Sequence, residues 1–204
     1  MAKGNLFVVS APSGAGKTSL VKRLRAELDG LAVSVSHTTR AQRPGEVHGQ
    51  DYFFIGRETF ERMIGEAAFL EHARVFDNYY GTAQSSVETA LLRGEDVVLE
   101  IDWQGARQVR HLLPDCLSVF ILPPSLATLS QRLQGRGQDS ADVIQRRMSD
   151  AIAEMSHYAE YDYLLVNDDF EVALRELKSI IIATRLREPR QSDALSGLLQ
   201  ALLA

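Results

Sequence analysis

Short apolar runs of the kind that fill buried parallel strands recur along the chain: Leu6 to Val9, Val97 to Asp102, Leu117 to Leu122 and Tyr163 to Val166. Between them, apolar residues spaced three and four apart predict helices from Lys17 to Leu28, Ser85 to Leu92, Leu126 to Leu133, Ser140 to Met155 and Val172 to Leu186. Strands separated by helices predict an α/β core with a parallel sheet. From about residue 35 to 85 this rhythm breaks, which predicts an inserted lobe. Leu31 to Ser36 reads as a strand leading into it, and His37 to Gln50 as a polar, Arg- and Gly-rich functional loop. Tyr52 to Ile55 reads as a short strand, and Thr59 to Gly65 as a helix capped by Thr59. Phe69 to Phe76 has a mixed pattern and ends in a turn at Asp77-Asn78. Trp103-Gln104-Gly105 turns the chain toward the next helix. After Pro189, Leu195, Leu198, Leu199, Leu202 and Leu203 form the stripe of a short amphipathic helix, with Ser192 or Asp193 as its cap. Docking on its own core is the first expectation for that tail, and a contact between two copies of the chain is the alternative.

The first strand runs into Ser10-Ala11-Pro12-Ser13-Gly14-Ala15-Gly16-Lys17-Thr18, a glycine-rich turn that opens a helix. That context makes it a phosphate loop. Glycines let the backbone curl its N–H groups inward, and the helix N-terminus adds a partial positive charge. Lys17 then reaches the β- and γ-phosphates of a nucleotide, and Thr18 offers its hydroxyl to Mg²⁺. Ala11 stands where the usual pattern begins with glycine.

Composition narrows the partners. The chain has 204 residues, 45% hydrophobic, enough for one globular unit with a sizeable core. A net charge of −5 gives no bulk attraction to nucleic acid or to an anionic membrane, so phosphate binding must come from local basic clusters. The single cysteine, Cys116, cannot pair within the chain and points to a reducing, cytoplasmic setting. No signal-peptide pattern and no run of transmembrane length is present.

Glu100 and Asp102 share one face at the C-terminal end of their strand, where open α/β sheets bind ligands. Asp102 is positioned to hold Mg²⁺ through water. Arg40 and Arg43 lie in the polar loop, while Arg132, Arg136, Arg146 and Arg147 crowd around Gly135 and Gly137. Two arginine clusters plus Lys17 suit a site holding two phosphorylated ligands end to end, although Arg146 alone reads better as a surface charge. Glycines beside Arg136 suggest a cover that closes over the nucleotide and excludes water. The histidines at 37, 48, 72, 111 and 157 form no metal-ligand spacing.

These segments resemble the guanylate kinase family. The resemblance is carried by residues 10–18, by Ser-His-Thr-Thr-Arg-Ala-Gln-Arg-Pro-Gly-Glu at 36–46, Asp-Tyr-Phe-Phe at 51–54 and Asn-Tyr-Tyr-Gly-Thr at 78–82. It continues through Glu-Ile-Asp-Trp-Gln-Gly at 100–105, Pro-Pro-Ser at 123–125, Arg-Leu-Gln-Gly-Arg-Gly at 132–137 and Val-Asn-Asp-Asp at 166–169. The resemblance implies a phosphate-loop core (4–33, 83–125 and 149–187), a GMP-binding lobe (34–82) and a helical lid (126–148), within one domain at 4–187 followed by the tail at 188–204. It implies transfer of the γ-phosphoryl of ATP to GMP or dGMP, with Mg²⁺ as cofactor. Residues 11–18, with Asn167 and Asp168, would hold ATP. Ser36, Arg40, Arg43, Tyr52 and Tyr80 would hold the GMP phosphate, and Glu71, Thr82 and Glu100 would face guanine. Lys17, Arg40, Arg43, Arg132, Arg136 and Arg147 would act on the transferring group. Many relatives carry Ser at the position of Thr82, and some carry Asp at that of Glu100.

A carboxylate at Glu71 can accept from guanine N1–H and the 2-amino group together, whereas adenine offers neither donor. Leaving a buried group unpaired discriminates on the order of 10⁴-fold in favourable cases. A different nucleoside monophosphate kinase would lack the Glu71/Thr82 pairing. A non-catalytic protein-binding module would lose parts of the loop or lid, and a phosphate-loop switch would need a water-positioning residue that is not found here.

Overall fold

The computed structural model describes residues 2–75, 77–134 and 141–204. Strands β1 (Leu6–Ser10), β2 (Leu31–Val33), β7 (Asp96–Glu100), β8 (Leu117–Leu122) and β9 (Tyr163–Val166) form a parallel sheet in the order β2-β7-β1-β8-β9. Alternation along β1 sorts its side chains between two cores. Phe7 and Val9 pack with α1 (Lys17–Glu27) and α7 (Phe170–Arg185), through Leu20, Leu24, Leu177 and Ile181. Leu6 and Val8 pack on the other face with α3 (Gln84–Leu92) and α4 (Trp103–Leu112), through Val87, Leu91 and Val109. Fully burying each such side chain stabilises the fold by about 1.5–3 kcal/mol. A helix-covered parallel sheet therefore carries the loop between β1 and α1 at its C-terminal edge.

A second sheet is inserted between β2 and α3. Its strands are β3 (His37–Thr38), β4 (Phe53–Phe54), β5 (Phe69–Val75) and β6 (Asn78–Ala83), in the order β4-β3-β6-β5. Helix α2 (Arg57–Gly65) covers it, and Phe60 stacks on Phe69 at 4.5 Å and on Tyr79 at 5.4 Å. Helices α5 (Leu126–Gln134) and α6 (Ala141–Met155) follow β8.

Several expectations shift. The strand expected from Leu31 to Ser36 ends at Val33, because the chain then leaves the parallel sheet for the second one. Thr59 caps nothing: α2 begins at Arg57 after Gly56. The mixed stretch from Phe69 and the residues after Asp77 are paired antiparallel strands. β7 stops at Glu100, since Asp102 caps α4 by accepting the Gly105 N–H at 2.9 Å.

The tail forms two short helices, α8 (Glu188–Ala194) and α9 (Ser196–Leu203), so Ser192 and Asp193 lie inside the first rather than capping the second. The leucine stripe does not dock on the core: Leu198 is 53% and Leu202 70% exposed. The tail is held instead by polar contacts, with Arg185 and Arg190 both paired to the fully buried Asp96. Among the described residues, no helix is long and apolar enough to cross a membrane.

Candidate active site

The phosphate loop leaves β1 and reaches α1 through two glycines at φ 93°, Gly14 and Gly16, a region that side chains rarely adopt. Packing excludes a side chain as well, because a Cβ at Gly16 would collide with the Asn167 amide and one at Gly14 would press on Leu129 and Leu133. Helix α1 starts at Lys17 with no side-chain cap and no acidic residue in its first turn. Its N–H groups are thus left for an anion. Lys17 Nζ donates to the Ile101 carbonyl at 3.3 Å, which brings the ammonium across to the end of β7. Thr18 Oγ1 donates to Glu100 Oε2 at 3.0 Å.

Opposite stands a carboxylate–hydroxyl pair. Glu71 on β5 faces Thr82 on β6 in direct register, and Thr82 Oγ1 donates to Glu71 Oε1 at 2.6 Å. Both are buried, at 3% and 0% exposure. Burial pushes the Glu71 carboxyl up to about 7, and the nearby Asp102 charge adds to this, while the Thr82 hydrogen bond opposes it. Ser36 Oγ lies 3.4 Å from Thr82 Oγ1. Arg40 pairs with Glu46 at 2.7 Å, and its guanidinium lies over the Tyr52 ring at 5.4 Å.

One cavity of about 320 Å³ joins the two halves. The loop with Lys17 and Thr18 lines one side; Ser36, Tyr52, Glu71 and Tyr80 line the other. Glu100 and Asp102 stand between them, and Arg147 reaches the cavity from α6, where its Nη2 donates to Ser13 Oγ at 2.8 Å.

The other expected residues that the structure describes make contacts of their own. The Arg43 side chain is exposed; its backbone N–H donates to Glu46 Oε2 at 2.8 Å. Glu100 meets Thr18 rather than the Glu71–Thr82 pair. Asn167 braces the loop, its amide donating to the Ala15 carbonyl at 2.7 Å, while Asp168 is exposed. Arg132 Nη2 donates to the Asn167 carbonyl at 2.9 Å, and its Nη1 is buried with no hydrogen-bond partner among the described residues. Arg136 lies outside the described residues. Sequence reasoning missed Glu46, whose signal was an acid on a basic loop, and Gly105, whose Cα faces the Glu71 carboxylate. It also missed Glu154, two helical turns beyond Arg147.

A phosphate loop at the edge of a parallel sheet, facing a separate recognition pocket across one cavity, defines a phosphate-loop kinase acting on a small acceptor. A family model described as Guanylate kinase matches residues 3–184. The chain is 64% identical to the guanylate kinase of Methylococcus capsulatus and 58% identical to that of Escherichia coli, in each case over 100% of both chains. Its fold is similar to a guanylate kinase structure from Anaplasma phagocytophilum, with TM-score 0.78 and 34% identity over 93% of this chain and 90% of that one. The chain belongs to the guanylate kinase family, and is an ATP:GMP phosphotransferase.

Proposed function

We propose that ATP and GMP lie end to end in the shared cavity, with ATP phosphates on the loop between β1 and α1 and guanine against Glu71 and Thr82. The observation that carries this reading is the one cavity lined by the loop on one side and by Glu71, Ser36, Tyr52 and Tyr80 on the other. Lys17 and the N–H groups of the loop hold the β- and γ-phosphates, and Asn167 and Asp168 stand at the adenine end. Ser36, Tyr52, Tyr80 and Arg40 take the GMP phosphate. Arg43 joins them by swinging inward on the loop that Glu46 ties to Arg40. Residues 126–148 act as a lid that brings Arg132, Arg136 and Arg147 onto the transferring group.

The acceptor oxygen of GMP is already anionic near neutral pH, so no general base is required. Catalysis is then alignment plus charge stabilisation, and alignment alone is worth about 7–11 kcal/mol in well-oriented cases. Thr18, Glu100 and Asp102 present hard oxygen donors beside the loop, a set that suits Mg²⁺ held chiefly by nucleotide phosphates. Thr18 and Asp102 would hold the ion, and Glu100 accepts from the Thr18 hydroxyl at 3.0 Å. When bound, the ion neutralises charge on the β- and γ-phosphates.

ADP formation from ATP, measured with GMP, AMP, CMP, UMP and dTMP as acceptors, tests the assignment of the guanine pocket. A strong preference for GMP is expected; equal turnover with AMP would refute it.

A further inference from the structure

Helix α6 presents Arg147, Asp150 and Glu154 to the cavity. Positions seven apart return to nearly the same helix face, so Arg147 and Glu154 share it. They grip one residue. Arg147 Nη2 donates to Ser13 Oγ at 2.8 Å, and Glu154 Oε2 accepts the Ser13 N–H at 3.2 Å. The neighbouring apolar face, with Met148, Ala151 and Met155, packs on Leu129 and Leu133 of α5. Beyond its C-terminal end, His157 stacks on Trp103 of α4 at 3.7 Å, and Glu160 pairs with Arg107 at 2.6 Å. That end is anchored to the core, and Glu154 stands between it and Arg147 along α6, bonded to the phosphate loop at Ser13.

We propose that Glu154 is a positioning residue, whose bond to the Ser13 N–H sets the seating of the lid helix and so the place of Arg147 over the phosphate loop. From 154 to 147 the helix spans about 10 Å, so a tilt of about 6° displaces Arg147 by about 1 Å. A misplacement of that size lowers turnover by about 100-fold. Burial raises the Glu154 carboxyl above its ordinary range, opposed by the Ser13 N–H. The acceptor oxygen matters here more than the charge, so a carboxamide can replace it.

The proposal rests on Arg147 acting on the donor phosphates. The test is steady-state kinetics on Arg147→Ala, Glu154→Ala, Glu154→Gln and the double alanine variant, with thermal unfolding as a check of the fold. Glu154→Ala is expected to lower kcat about 10- to 100-fold with KM for GMP within about twofold. Glu154→Gln recovers to within about threefold of the parent, because its amide oxygen accepts the same N–H. The double variant is no slower than Arg147→Ala. Should the alanine variant unfold, Glu154→Leu keeps the bulk without the acceptor. Multiplying losses in the double variant, a glutamine variant as slow as the alanine one, or an unimpaired Glu154→Ala would overturn the proposal. An unimpaired Arg147→Ala would overturn the reading of Arg147 as well, so the two failures are distinguishable.

Discussion

Gly105→Ala separates stability from recognition. Gly105 sits in the first turn of α4, where its N–H caps onto Asp102 at 2.9 Å, a bond that alanine keeps. Helix propensity alone favours Ala over Gly by about 0.8–1.0 kcal/mol. The added Cβ, however, would overlap Glu71 Oε2 and lie 3.1 Å from Glu71 Cδ. The carboxylate end of a side chain is the part that gives way, and clearing the overlap requires a shift of about 1 Å. That shift strains the 2.6 Å bond from Thr82 and moves the two oxygens proposed to meet guanine. Misplacement by about 1 Å lowers turnover by about 100-fold. The assay is kcat/KM for GMP and for AMP, alongside thermal unfolding. The expected result is a melting temperature equal to or above the parent's, with kcat/KM for GMP down by about 100-fold and the GMP-over-AMP preference reduced. A folded variant with unchanged kcat/KM for GMP would show that guanine is not read by Glu71.

Glu71 also predicts a pH dependence. Its carboxyl, raised to about 7, is protonated in the folded state between its ordinary 4.5 and about 7, so its contribution favours folding less as pH rises through that window. The proposed guanine contact needs the opposite, ionised form, so KM for GMP should rise about tenfold from pH 8 to pH 6. In Glu71→Gln this component should vanish, leaving only the titration of the GMP phosphate, and an equal rise in both proteins would refute the assignment. At the other end of the molecule, Asp96→Ala leaves Arg185 and Arg190 without their buried partner and should destabilise the fold by about 3–5 kcal/mol in guanidinium unfolding. A loss below about 1 kcal/mol would mean that the pair is structurally idle.

The parallel core was legible because its strands are continuous apolar runs, and β8 and β9 match their predicted bounds. β6, Asn-Tyr-Tyr-Gly-Thr-Ala, was not legible as a strand. Its place comes from pairing with β5 and from Phe60 stacking on Tyr79, contacts made across the fold rather than along the chain. The site divides in the same way. Lys17 and Thr18 are local, fixed by the loop that contains them, whereas Glu71 and Thr82 meet through strand register. Glu46, Gly105 and Glu154 act on other residues of the site, and a contact between distant positions leaves little trace in spacing. The leucine stripe of the tail was visible, but periodicity identifies a face without saying what covers it.

The first two turns of α4 tie the two sides of the cavity together. Asp102, beside the donor loop, caps the helix through Gly105 at 2.9 Å. Gly105 in turn abuts the Glu71 carboxylate, and one turn further Gln108 clamps β5: its Nε2 donates to the His72 carbonyl at 2.8 Å and its Oε1 accepts the His72 N–H at 3.1 Å. Trp103 and Arg107, on the same helix, anchor the end of α6 through His157 and Glu160. One helix therefore holds Asp102 beside the phosphate loop, strand β5 with Glu71, and the C-terminal end of α6 in one frame. Phosphoryl transfer needs reacting atoms about 3–3.5 Å apart and in line. Such a geometry is kept where one element fixes the mutual distances of the groups that make it, and α4 contacts the residues beside the phosphate loop, β5 and the end of α6.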